Sequence, residues 1–258
     1  MNLQLQRSTP VSAVNFFQLD IRHRHPTTAC IVAHLFGRPA EIAAFRDLGP
    51  PLVEDCAQTL GVRYRDRYVG GWGDVTICSF YATKLVAGGE GGMLLSPDET
   101  IVERVRHLRD CEVDGADAKA FNFKTSDLHA AVARTQFARL DEFLARRARL
   151  AAGYRAALTG CAIDLPSADD DGEHAWFRFV VRATAPGLDD LLQRCEQRGV
   201  ACRRPVGRLV PEVDLSQLPG CRDAWRSACS LPLYPALTDE EAEAVPRRFL
   251  AALGATDE

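Results

Sequence analysis

The sequence predicts an α/β protein, and two observations carry that prediction. Four short apolar runs, Ala29-Cys30-Ile31-Val32-Ala33, Pro51-Leu52-Val53-Glu54-Asp55, Thr76-Ile77-Cys78-Ser79-Phe80 and Met93-Leu94-Leu95-Ser96, are separated by turn and helix signals. Runs of this kind fit strands buried on both faces, as in a parallel sheet. Ligands of such sheets bind beyond the carboxyl ends of the strands, which is where Asp55 and Ser79 to Lys84 fall.

Taken in order, residues 1–27 are weakly patterned. Val14-Asn15-Phe16-Phe17-Gln18-Leu19 reads as a strand, and the basic stretch Arg22 to His25 follows it. After the first apolar run, His34-Leu35-Phe36-Gly37-Arg38-Pro39 turns the chain into a short helix, Ala40 to Leu48. The second run ends in acid at Asp55. Ser96 and Glu99 have capping-box spacing and Pro97 would occupy the first helical position, so a helix is expected from Ser96 to about Arg109. A loop carrying Gly115 leads to Phe121-Asn122-Phe123-Lys124-Thr125-Ser126. Asp127 to Leu158 then reads as one long helix. Its Leu128, Val132, Leu140, Leu144, Leu150, Tyr154 and Leu158 approximate one core-facing stripe, with the polar Gln136 on it.

The character changes after Gly160. Pro166 to Glu173 is a polar, acidic loop. Trp176 to Val181 reads as a strand, Leu188 to Arg198 as a helix stopped by Gly199, and Val200 to Arg204 as another strand. Ser230-Leu231-Pro232-Leu233-Tyr234-Pro235 is a constrained extended segment. Thr238 to Glu241 forms a second capping box for the last helix, which Pro246 should kink or shorten. The organisation predicted is a first domain over 1–140 and a second, smaller α+β domain over 141–258.

Composition narrows the class of protein. Of 258 residues, 47% are hydrophobic and 26% charged, enough apolar residue for a large core. A net charge of -4 with interspersed signs gives no nucleic-acid face and no polybasic membrane patch. The pairs Arg146-Arg147 and Arg203-Arg204 read as solvated surface, with an anionic-substrate contact as the sharper alternative. Nine cysteines, an odd number without a CxxC pair, fit a reducing compartment and not a disulfide framework or zinc site. Cys30, Cys56 and Cys78 read as small core residues. No apolar run is long enough to span a bilayer and the N-terminus is not a signal peptide, so a cytoplasmic protein is expected.

The richest stretch is Ser79-Phe80-Tyr81-Ala82-Thr83-Lys84, closed by Gly88-Gly89-Glu90-Gly91-Gly92. It sets one lysine just past a strand, against a turn whose glycines allow close approach and unusual dihedrals. A lysine and an aspartate at two strand ends suit pyridoxal 5'-phosphate (PLP). Lys84 would form a Schiff base with its aldehyde and Asp55 would keep its pyridine nitrogen protonated. Ser79 could hold the phosphate, and Gln58 could hydrogen-bond the ring hydroxyl. Taken singly each of these residues has a structural reading too: a surface cation, a helix cap, a small core residue. His34 is open between a pocket-lining group and a satisfied structural histidine. Gly70-Gly71-Trp72-Gly73-Asp74 lacks the GxGxxG spacing of a dinucleotide loop.

The ordered set His34-Leu-Phe-Gly, Val53-Glu-Asp-Cys-Ala-Gln58, Gly73-Asp74, Ser79-Phe-Tyr-Ala-Thr-Lys84, Gly89-Glu-Gly-Gly92, Phe121-Asn-Phe-Lys-Thr-Ser-Asp-Leu-His-Ala-Ala131 and Ser230-Leu-Pro-Leu-Tyr-Pro235 closely resembles the DegT/StrS family of nucleotide-sugar aminotransferases. The resemblance covers about residues 28 to 253. It implies fold type I of the PLP enzymes, the aspartate-aminotransferase-like fold, built as a dimer with sites at the subunit interface. It also implies transfer of an amino group from glutamate to a keto-sugar carried on a nucleotide. By position, Lys84 resembles the Schiff-base lysine, Asp55 the pyridinium partner, Gln58 the ring-hydroxyl contact and Ser79 a phosphate ligand. Asn122 resembles the asparagine that reaches the phosphate in the neighbouring subunit. Family members carry on the order of a hundred further residues before the region of His34, so the large domain is expected in truncated form. Two readings follow: a sugar aminotransferase, or a non-catalytic or split-gene relative whose site is completed by a partner chain. Lys124 and Arg203-Arg204-Pro205 depart from the family pattern and bear on substrate choice.

Overall fold

The computed structural model describes residues 29–110, 121–167, 173–207, 216 and 218–254. The expected strand at Val14–Leu19, the Gly115 loop and most of the Pro166–Glu173 loop lie outside these residues. Contacts divide the described chain into two compact units, one drawn from Pro26–Ala145 and Asp171–Phe177, the other from Arg146–Asp170 and Arg178–Glu258.

The first unit is built on a four-stranded sheet of β1 (Cys30–Ala33), β2 (Leu52–Asp55), β5 (Val75–Ser79) and β6 (Gly92–Leu95), in that spatial order. The pairs β1–β2 and β2–β5 are parallel, and β6 returns antiparallel along β5. A short hairpin of β3 (Arg63–Tyr64) and β4 (Arg67–Tyr68) fills the connection from β2 to β5. Side chains alternate along strands, and cross-strand partners share a face. Val32, Leu52, Glu54 and Thr76 therefore lie on one face, and all four are buried. Ile31, Val53, Val75, Asp55, Ile77, Ser79 and Leu94 lie on the other, where Ile31 is 74% exposed. Over β1, β2 and β5 the core is thus one-sided, with Ile42 of α1 (Ile42–Arg46), Val62, Tyr64, Leu85, Val86 and Leu140 clustered with the covered face, while Met93 and Leu95 of β6 are exposed on that same face.

Helix α2 (Glu99–Arg109) starts two residues later than the capping-box reading of Ser96 and Glu99, which puts Pro97 first in the helix. Asp98 is its cap, with the carboxylate accepting from Thr100 N. Ser96 is used elsewhere, donating its hydroxyl to Asp74 O and accepting from Asp98 N. The helix expected over 127–158 is two: α3 (Asp127–Phe137), capped by Ser126, and α4 (Leu140–Leu158). The single stripe does not hold across the break. Leu140, Leu150, Tyr154 and Leu158 are buried, but Leu128 is 81% exposed and Val132 is exposed too, while Ala133 is the buried residue of α3.

The second unit contains the antiparallel pair β7 (Phe179–Arg182) and β8 (Ala228–Leu231), with α5 (Leu188–Gln197), α6 (Pro219–Ser227) and α7 (Asp239–Leu253). Phe179 meets Tyr154 edge-to-face at 5.3 Å, and the Tyr154 hydroxyl donates to Pro232 O at 2.8 Å. Val200 to Arg204 forms only one bridge, Arg203 to Ser230. The strand expected from Trp176 starts at Phe179, because Trp176 is left-handed. The Thr238–Glu241 capping box is present, and α7 runs through Pro246 to Leu253 without being shortened. Arg147, expected on the surface, is buried, donates to Leu233 O at 3.0 Å, and burial brings its guanidinium down to about 10. Arg146 binds Asp239, and Arg204 pairs with Asp189 while stacking on Trp225. Among the described residues no helix is long and apolar enough to cross a membrane.

Candidate active site

Asp55 ends β2 on the open face, opposite Ile77 of β5. Ser79 lies two residues beyond Ile77, hence on the same face and roughly 7 Å further along. One Asp55 oxygen accepts from Ala57 N at 2.9 Å, and no partner stands at the other within the described residues. Gln58, in the turn after β2, accepts at its side-chain oxygen from Phe36 N at 2.8 Å. That fixes the amide with its NH2 group free to donate. Ser79 Oγ accepts from Tyr81 N at 3.4 Å, which leaves its hydroxyl proton to donate elsewhere.

Lys84 ends a tight turn in which its own N–H donates to Tyr81 O at 2.9 Å. The glycine return clasps this turn: Phe80 N donates to Gly91 O, Ala82 N to Gly89 O, and Gly88 N to Phe80 O. Gly89 and Gly91 have φ of 90° and 117°, and a Cβ on Gly91 would lie 2.9 Å from Thr125 Oγ1. Glycine is therefore required twice in the segment that closes on the lysine. Lys84 Nζ sits 5.5 Å from the centroid of the Phe177 ring. Asn122 is exposed between Phe121 and Phe123, whose rings stack at 4.9 Å, and its side chain makes no hydrogen bond within the described residues.

Glu54 escaped the sequence reading. It is fully buried and accepts from His34 Nε2 at 3.1 Å and from the N–H groups of Gly70, Trp72 and Gly73 at 2.8, 2.6 and 2.5 Å. Burial works to raise its carboxyl, but these four donors outweigh it and hold the group below the ordinary carboxylate value. The signal was the alternation Leu52-Val53-Glu54-Asp55, which sets Glu54 on the same face as Leu52. His34 resolves as a structural histidine. Its Nδ1 accepts from Ala40 N at 3.0 Å, which puts the ring proton on Nε2, where it is donated to Glu54. His34, Glu54 and Cys56 offer donor atoms within 4.8 Å of one another, but the hydrogen bonds already use those of His34 and Glu54. Asp74 is likewise structural, accepting from Leu52 N and Arg46.

The residues fit PLP. A carboxylate oxygen without a partner, an amide turned donor-outward, a hydroxyl with a proton to give and a lysine at a glycine-bounded turn match the ring nitrogen, ring hydroxyl, phosphate and aldehyde of that cofactor.

Comparison with known proteins gives one answer. The profile of the DegT/DnrJ/EryC1/StrS aminotransferase family matches residues 21–249. A dTDP-3-amino-3,4,6-trideoxy-alpha-D-glucose transaminase of Streptomyces venezuelae is 34% identical over 236 residues, covering 84% of this chain and 61% of that protein. The aminotransferase TlmJ of Streptoalloteichus hindustanus superposes with a TM-score of 0.80 at 30% identity, over 88% of this chain and 66% of that one. DesV of S. venezuelae, solved in complex with a ketimine intermediate, gives 0.77 at 32% identity, over 86% and 65%. The chain thus spans a little under two thirds of the length of these relatives.

Proposed function

The chain belongs to the DegT/DnrJ/EryC1/StrS aminotransferase family, and from that premise we propose that it is a PLP-dependent aminotransferase acting on a nucleotide-linked keto-sugar, with glutamate as amino donor. The observation that carries the reading is the gathering of Asp55, Gln58, Ser79 and Lys84 around the carboxyl ends of β2 and β5. Asp55 would hold the ring nitrogen, Gln58 the ring hydroxyl, Ser79 the phosphate and Lys84 the aldehyde carbon. Asn122, exposed and without a side-chain hydrogen bond within the described residues, would serve the phosphate of a second copy in a homodimer. When bound, PLP supplies the electron sink that stabilises negative charge at the carbon carrying the amino group. Lys84 then does two things: it binds the cofactor, and it moves a proton to and from the substrate carbon. Asp55 offers its unpartnered oxygen as a fixed acceptor, and the Gln58 amide donates toward a phenolic oxygen.

The test starts with an absorbance titration of the purified chain with PLP, followed by borohydride reduction and peptide mass analysis. The chain holds three lysines, Lys84, Lys119 and Lys124, so the site of attachment is unambiguous. PLP fixed on Lys84, and transfer of nitrogen from labelled glutamate to keto-sugar nucleotides, are expected. Equal labelling in Lys84→Ala would overturn the reading.

A second reading has its own observation. The open sheet face carries Asp55 and Ser79 beside the 74%-exposed Ile31, and relatives have over a third of their length outside the match. On this reading the cofactor site is completed by a further segment supplied by a partner chain.

A further inference from the structure

The segment ending at Phe177 groups with the sheet unit, whereas Arg178 onward groups with the other unit. The chain therefore brings residues 173–177 back to the first unit from far along the sequence. They meet the turn after β1. A Cβ on Gly37 would lie 2.5 Å from Phe177 N and 2.7 Å from Trp176 N, and Gly37 also has φ 97°, so only glycine lets the two backbones meet. Ala175 N donates to Gly37 O at 2.7 Å. Non-glycine residues in the left-handed region stand on both sides of this contact, Phe36 at φ 60° and Trp176 at φ 48°. The surroundings must hold such conformations against an intrinsic preference. On one side Phe36 N is tied to Gln58; on the other Trp176 N donates to His174 Nδ1 at 2.8 Å and the two rings stack at 3.9 Å.

What the strained contact delivers is a ring. Phe177 is only 8% exposed, and Lys84 Nζ lies over its face. We infer that Phe177, clamped by Gly37, is a positioning residue for Lys84. The negative face of the ring attracts the cationic end of the side chain, keeps it from other rotamers, and so presents Nζ in one direction. The same turn presents the Gln58 amide, so one backbone device sets two groups of the site. The inference rests on the reading of Lys84 as the cofactor lysine. It adds that the lysine is held ready before any cofactor arrives.

NMR of the PLP-free chain labelled with 13C-lysine tests it, because three lysines give three resolvable sets of signals. The ε-methylene protons of Lys84 are expected upfield of those of Lys119 and Lys124, shifted by the ring current of Phe177. Phe177→Leu, which keeps an apolar side chain, should lose that shift and weaken PLP capture about two- to tenfold, the range of one cation–π contact. Phe177→Tyr should restore both. An unshifted Lys84 in the wild type overturns the inference without any variant, and so does unchanged PLP affinity in a folded Phe177→Leu. A wild type with the shifted methylene that takes no PLP, either alone or with the completing segment of a relative added, overturns the cofactor reading of Lys84 while the seat itself stands.

Discussion

Glu54 turns its carboxylate into the core while Asp55, the next residue, turns to the open face, because β2 alternates. The two acids therefore answer to different experiments. Glu54→Gln offers one acceptor oxygen to four converging donors and brings an NH2 group against them, so a loss of about 3 kcal/mol or more in unfolding free energy is expected in a denaturant titration. Acidification should act through the same group. Its carboxyl is held below 4.5 in the fold and returns to that value on unfolding, so its stabilisation is complete above about pH 4.5 and lost as pH falls through the lower folded value. The acid limb of the stability curve should therefore be shallower in Glu54→Gln than in the wild type. Asp55→Asn, by contrast, should leave the unfolding free energy within about 0.5 kcal/mol, because its free oxygen supports nothing in the fold, and should weaken PLP binding. Asp55 was legible in the sequence as an acid at a strand end. Glu54 was not, since the apolar run around it hid which face each acid would take.

At the scale of elements, the sequence spoke clearly where a local rule decides the outcome. The four strands and the capping box of α7 follow from short-range pattern, and Thr238→Ala should cost about 1 kcal/mol by thermal or denaturant unfolding. Pattern failed where tertiary contacts decide. Ser96 looked like a cap, but its hydroxyl is taken by Asp74 O, and Asp98 caps the helix instead. The long helical stripe failed because two helices, α3 and α4, stand where one was expected, and only α4 buries its share of the stripe. The consequence is measurable as a contrast within one former stripe. Leu150→Ala should destabilise by about 2–5 kcal/mol, while Leu128→Ser should change stability by less than about 0.5. Equal losses would restore the continuous stripe. The left-handed Trp176 was equally illegible, since its conformation accompanies the close approach of Gly37, a contact far away in sequence, and the stacking of His174 on its ring.

For the whole molecule, the informative quantity is the one-sided burial of β1, β2 and β5. Val32, Leu52, Glu54 and Thr76 are buried, while the opposite face presents Ile31 at 74% exposure in line with Val53 and Val75. A large apolar side chain left in water on a sheet is a site that a partner surface can use. Here that surface continues into Asp55 and Ser79, so whatever covers it also borders the proposed cofactor site. Ile31→Lys separates the two readings of function. Being exposed, the change should leave the stability of the isolated chain within about 0.5 kcal/mol. If the chain builds its site alone, the variant should also fix PLP on Lys84 as well as the wild type does. If a further segment completes the site, adding the part of the S. venezuelae transaminase that lies outside its match to this chain should raise PLP capture in the wild type, and Ile31→Lys should abolish that gain. The physical basis is desolvation: once a segment packs on the open face, a lysine ammonium there would lose its water without an acid to replace it. Loss of PLP capture in the isolated variant at full stability would instead tie Ile31 directly to the shape of the site.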